Sequence, residues 1–135
     1  MTEVVAEHRG ADRFGLAVAM LAAVFSLIAT FASAEDIPAA AVAEADTVWQ
    51  QRCTTCHGAT GKGDGAAAAA LNPKPRDFSL ATWQASVTDE HIEKTILEGG
   101  QAVGLSMLMV ANPDLASKPD VIKALRAHVR SLGAK

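Results

Sequence analysis

The apolar positions of this chain fall into two regimes. From Phe14 to Phe31 they form a run with no charged residue inside it, preceded by Arg9 and Arg13. From Val48 onward they recur at helical spacing with polar residues between them. Val121, Ile122, Leu125, Val129 and Leu132 mark one face of a last helix. The capping-box pair Ser117 and Asp120 opens that helix and Gly133 closes it. Ile92, Ile96 and Leu97 mark another helix over 89–98, with Thr88 as N-cap, Asp89 and Glu90 at its positive end and Gly99 as its stop. A first helix is predicted from about Glu44 to Cys53, turning Val48 and Trp49 inward. Ala66 to Leu71 holds one or two helical turns. Gly58, Gly61, Gly63 and Gly65 interrupt regular structure with tight turns. Asn72-Pro73-Lys74-Pro75 is extended, because a residue before proline is pushed out of the α region. No stretch alternates well enough to be a strand, and nothing repeats. The domain is therefore expected to be all-α.

The N-terminal run changes the picture of where the domain works. Its basic flank, its apolar centre and Ala32-Ser33-Ala34 before Glu35-Asp36 read as a signal peptide over residues 1–34, cleaved after Ala34. A retained membrane anchor is the alternative, since the run is close to the shortest that spans a bilayer. Both readings put the folded part outside the cytoplasm, in a bacterial periplasm. Residues 35–43, Ala-rich with Pro38, read as a flexible lead-in, and residues 44–135 as one small domain. Contact with a membrane is expected only if the N-terminal segment is kept. A formal net charge of −3 argues against nucleic acid as a partner.

The chemistry is concentrated in Cys53-Thr54-Thr55-Cys56-His57. C-x-x-C-H is the attachment pattern of a c-type haem. Each thiol adds across one vinyl group of the porphyrin, and the adjacent imidazole lies under the ring, where it binds iron. The competing readings are half of a zinc site and a redox dithiol. The chain has 2 cysteines, so no second Cys pair completes a tetrahedral zinc site. No βαβ setting accompanies the motif, as a thioredoxin-like dithiol requires. Nothing reads as a nucleophile–base pair, a phosphate loop or a carboxylate dyad, so enzymatic chemistry is not expected.

With this motif between a first and a last helix, the chain resembles the class I cytochrome c family. The likeness covers about Ala45 to Leu132 and is to bacterial periplasmic monohaem members with a G-x-G-D-G extension. It rests on Cys53 to Gly58, Gly61-Lys62-Gly63-Asp64-Gly65, Pro73-Lys74-Pro75-Arg76-Asp77-Phe78, Gly99-Gly100, Gly104-Leu105-Ser106 with a following Met, and Val129-Arg130-Ser131-Leu132. It implies a small fold of three to five helices around one covalently bound haem c, with crossing terminal helices, His and Met axial ligands, and electron transfer as the activity.

The resemblance also distributes roles. In the family the sixth ligand often follows Gly-x-Ser-x-x, which places it at Met109 and leaves Met107 as the alternative. A metal-bound imidazole donates its other N–H to an acceptor that fixes it. By resemblance that acceptor is a proline carbonyl, at Pro75 in preference to Pro73. His128 stands where the family often has a packing aromatic, and ligation by its imidazole is the minor alternative. His91 is expected to face solvent. Trp83 is expected either to pack in the core or to meet a propionate, and Lys62 and Arg76 to be solvated or to serve as docking charges. The expected function is a one-electron carrier between redox proteins, monomeric and of unnamed donor and acceptor. The alternatives are a haem-bearing subunit of a larger dehydrogenase or reductase, and a gas-binding haem protein.

Overall fold

Pro38 leads into the first helix: its carbonyl accepts from the amides of Ala41 and Val42 at 2.9 and 3.1 Å. In this computed structural model residues 36–133 are described, and the segment read as signal peptide or anchor lies outside them. Helix α1 spans Ala39–Val48. It starts five residues before the predicted Glu44, which corrects the reading of residues 39–43 as a flexible lead-in. Proline fits at a helix start, where its missing N–H costs nothing. Ala41 and Ala45 are buried on the α1 face and Ile37 packs against the core, so these residues have a reason to be ordered.

The helix does not end at Val48. A π-helical turn, Trp49–Cys53, leads directly into α2, Thr54–His57. After the glycine-rich segment and a 3-10 turn at Ala68–Ala70 come α3, Ala81–Ser86, and α4, Asp89–Glu98. Helix α4 has the predicted limits, and Thr88 Oγ1 accepts from the His91 amide at 3.2 Å. Gly99 ends it with φ at 82°. Helix α5 spans Pro119–Ser131. The Ser117–Asp120 capping box is not formed. Ser117 instead closes a 3-10 turn, Pro113–Ser117, and Pro119 opens α5 after Lys118, whose carbonyl accepts from the Val121 and Ile122 amides. The prolines decide that boundary. Among the described residues there is no strand, and no helix is long and apolar enough to cross a membrane.

The terminal helices α1 and α5 pack on each other, and α4 packs on α5. Ala45, Val48 and Trp49 face Val121, Leu125 and Val129 in one core, with Phe78, Ile92 and Leu115 joining it. Burying aliphatic side chains of this size stabilises the fold by about 1.5–3 kcal/mol each. Charge holds the outside of the α4–α5 pair. Arg126 meets Asp89 and Glu93, and Arg130 donates to Asp89, to the Gln84 carbonyl and to the Val87 carbonyl. Gln84 in turn donates to the Phe78 and Val129 carbonyls, so α3 is tied to α5 beside the aromatic residues of the core.

Candidate haem-binding site

Cys53, Cys56 and His57 lie on the π-turn and α2, at the end of the helix that carries Trp49. A helix this short exposes its last carbonyls, and here the following segment takes every one of them. The Thr54 carbonyl accepts from Gly58, Thr55 from Ala67, Cys56 from Gly65 and His57 from Gly63, at 2.8 to 3.2 Å. Gly65 lies so close beneath the motif that a Cβ there would stand 2.5 Å from the Thr54 carbonyl oxygen. The glycine-rich stretch is thus a backbone cradle for the C-x-x-C-H turn, and Phe78 joins it by donating to the Gly61 carbonyl at 2.8 Å.

Above the cradle is a cavity of about 40 Å³ lined by Val48, Trp49, Cys53, His57, Phe78, Ile96, Met109, Asn112, Leu125 and Val129. Phe78 stacks on His57, with ring centroids 4.6 Å apart and planes 17° from parallel. Met109 is half-buried and faces this cavity, whereas Met107, two residues earlier, is 68% exposed. His128 packs its ring on Trp49 at 4.5 Å and is not among the cavity-lining residues. Trp83 packs on Phe78 at 5.0 Å in the core. Lys62 and Arg76 are exposed, and His91 is half-buried rather than turned to solvent.

Burial governs the protonation of the donors. It pushes the Cys53 thiol up to about 11, and the Arg52 guanidinium beside it opposes this only weakly. It also holds the His57 imidazole below its ordinary value, with the Arg76 carbonyl acting in the other direction. A neutral imidazole is the form that binds a metal.

The acceptor facing His57 corrects an expectation. Nδ1 lies 3.4 Å from the carbonyl of Arg76, not from that of Pro75. The Pro75 carbonyl lies against Gly63 instead, in the space a side chain there would need. Its one-residue offset leaves the Arg76 carbonyl facing the imidazole.

The donor set fits a haem. The Cys53 thiol, the His57 imidazole and the Met109 thioether border one apolar cleft, and the second free thiol, Cys56, lies on α2 next to His57; soft sulfur and neutral nitrogen suit haem iron. At about 40 Å³ the cleft is smaller than a porphyrin, so admitting one would require its lining to open.

A family model described as cytochrome c matches residues 42–133, from the middle of α1 past the end of α5. The chain belongs to the cytochrome c family. Among solved structures, the KustC0563 c-type cytochrome is similar: 32% identical, covering 64% of this chain and 93% of that one, with a TM-score of 0.47. Curated protein sequences give no match. Membership makes this cytochrome a haem electron-transfer protein with an all-α fold.

Sequence reasoning missed two parts of the site. Phe78 was read only within a motif, although it stacks on the proximal imidazole. Arg52 and Asn112 were not connected, because nothing local joins residues sixty positions apart; they meet at 3.2 Å.

Proposed function

We propose that this cytochrome is a single-haem, one-electron carrier, exported to the periplasm and serving protein redox partners rather than catalysing a reaction of its own. The observation that carries the proposal is the cleft itself: His57 and Met109 border it together with Cys53, while Met107 faces solvent. Haem c, when bound, supplies an iron couple that accepts and returns one electron.

The residues around it do the rest. Cys53 and Cys56 hold the group covalently, and one C-x-x-C-H motif supports one haem. His57 would hold the iron through Nε2, its Nδ1 facing the Arg76 carbonyl. Met109 would supply a neutral thioether, a ligand that favours ferrous iron and raises the potential. Val48, Ile96, Leu125 and Val129 keep water out of the cleft. Fixed ligands and an apolar surround limit rearrangement when charge changes, which is what a carrier requires.

Expression with export and haem-maturation machinery tests the reading. The colour is expected to remain with the protein through acid–acetone extraction. The ferric protein is expected to show the far-red band of methionine–iron charge transfer, and the ferrous protein to bind carbon monoxide poorly at neutral pH. Colour lost to the solvent overturns the covalent haem. A stoichiometric Soret shift under carbon monoxide overturns the carrier reading in favour of a gas-binding one.

A further inference from the structure

Three residues after Met109, Asn112 uses all of its hydrogen-bonding groups on different parts of the chain. Its backbone amide donates to the Leu97 carbonyl at 3.0 Å, and its own carbonyl accepts from Leu115 at 3.0 Å. Its side-chain Nδ2 donates to the Ile96 carbonyl at 2.8 Å, and its Oδ1 accepts from Arg52 at 3.2 Å. The same Arg52 grips Asp114 through two bonds of 3.0 Å. Arg52 immediately precedes Cys53, and Asn112 lines the cleft. One half-buried amide therefore joins the end of α4, the turn before α5 and the helix that carries the haem thiols.

The rest of the Met109 segment has little else to fix it. Leu105, Leu108 and Val110 are 52%, 52% and 73% exposed. The Met109 carbonyl accepts from Gly100 at 2.9 Å, and its amide donates to Ser106 within the same segment at 3.2 Å. Apart from the half-buried Met109, the apolar side chains between Gly104 and Asn112 stand in solvent.

We propose that Asn112, braced by Arg52, is the positioning residue that keeps Met109 at the sixth coordination position. The proposal rests on the reading of Met109 as axial ligand. Asn112 does not touch the iron. It sets where the Met109 arm begins its return to α5, so it governs how often the thioether leaves rather than how stable the whole domain is.

The test is the rate at which imidazole displaces the thioether in the ferric holoprotein, followed by loss of the far-red band, with thermal unfolding measured beside it. Asn112→Ala is expected to speed displacement about tenfold, the weight of one half-buried amide hydrogen bond. Asn112→Asp keeps an acceptor for Arg52 but cannot donate to the Ile96 carbonyl, and it is expected to fall between wild type and Asn112→Ala. Arg52→Gln is expected to speed displacement about threefold, as befits an exposed ion pair. Lys118→Gln, which breaks a surface pair with Glu44 away from the cleft, is expected to leave the rate unchanged.

A lower unfolding midpoint with an unaltered displacement rate in both Asn112 variants overturns the proposal, because Asn112 then serves the fold alone. Equal acceleration by Lys118→Gln also overturns it. A far-red band that survives Met109→Ala refutes the ligand assignment itself, and that failure is visible before any Asn112 variant is made.

Discussion

On the His57 side of the cleft, the carbonyls from Thr54 to His57 are each capped by an amide from the next ten residues. On the Met109 side, Leu105, Met107, Leu108 and Val110 stand half or more in solvent, and the segment is held mainly at its two ends. Amides of one following loop cap every carbonyl of the first arm; the second is tied by backbone bonds to Gly100 and Leu97 and by the side chains of Asn112 and Arg52. The difference matches what the arms must do. On the proposed reading the imidazole and thiols would anchor the group permanently, so close packing there would have no drawback. The Met109 arm would have to admit the group before closing on it, and an arm with fewer ties could do so.

The largest expected effect breaks the proximal arm. Gly65→Ala puts a Cβ into the Thr54 and Thr55 carbonyls, which are backbone atoms with no room to retreat. Its cost is expected to reach about 3 kcal/mol, the upper range for forcing atoms into a packed site. The measurement is the yield and urea midpoint of the holoprotein, and a near-wild-type midpoint would show the cradle to be looser than its geometry. The matching distal change is Gly104→Ala. Gly104 has φ at 74°, yet nothing lies within 4 Å of a Cβ there. Only backbone strain remains, about 1 kcal/mol, and the same titration reads the contrast between the two glycines.

The second effect is spectral and keeps the fold. Met109→Ala is expected to abolish the far-red band while leaving covalent haem and helix content in place. Met107→Ala is expected to change neither, because its side chain is 68% exposed and contributes nothing to the cleft. Loss of the band in the Met107 variant alone would reverse the assignment, and loss in neither would point away from both sulfurs.

How much of this was legible depended on how local each signal is. Helix α4 was readable to the residue because its cap, its charges and its glycine stop sit within the same short stretch. The start of α1 was not, because Pro38 among alanines looks like a linker until Ala41 and Ala45 are seen against α5. Helix α3 was invisible: Trp83 is its one large apolar residue, too little to show a period. The capping box before α5 was a valid local signal overridden by Pro113 and Pro119. At the site, Cys53, Cys56 and His57 share one five-residue pattern, and the choice of Met109 over Met107 rests on the family's Gly-x-Ser-x-x spacing; the structure puts Met109, not Met107, on the cleft. The Arg76 carbonyl was missed by one residue, since its direction depends on Gly63 across the loop. Arg52 and Asn112 form a long-range contact that no pattern within either segment announces.

The smallest effect concerns the brace itself and depends on pH. Hydrogen bonding from the Arg52 guanidinium holds the Asp114 carboxyl below its usual 3.8. Because the folded value is lowered, the carboxylate form is favoured by folding. Its contribution is present above the usual value and is lost as pH falls through the lowered one. Asp114→Asn removes the charge at every pH. The gap in thermal midpoint between wild type and this variant is therefore expected to be constant near neutrality, to close as pH drops below about 4, and to shrink with added salt because the pair is exposed. Imidazole displacement at neutral pH is expected to be faster in the variant, by less than in Arg52→Gln, since the Arg52 bond to Asn112 survives. A gap that persists unchanged into acid would mean that Asp114 stabilises the turn before α5 by some means other than its charge, and the brace on the distal arm would reduce to Arg52 and Asn112.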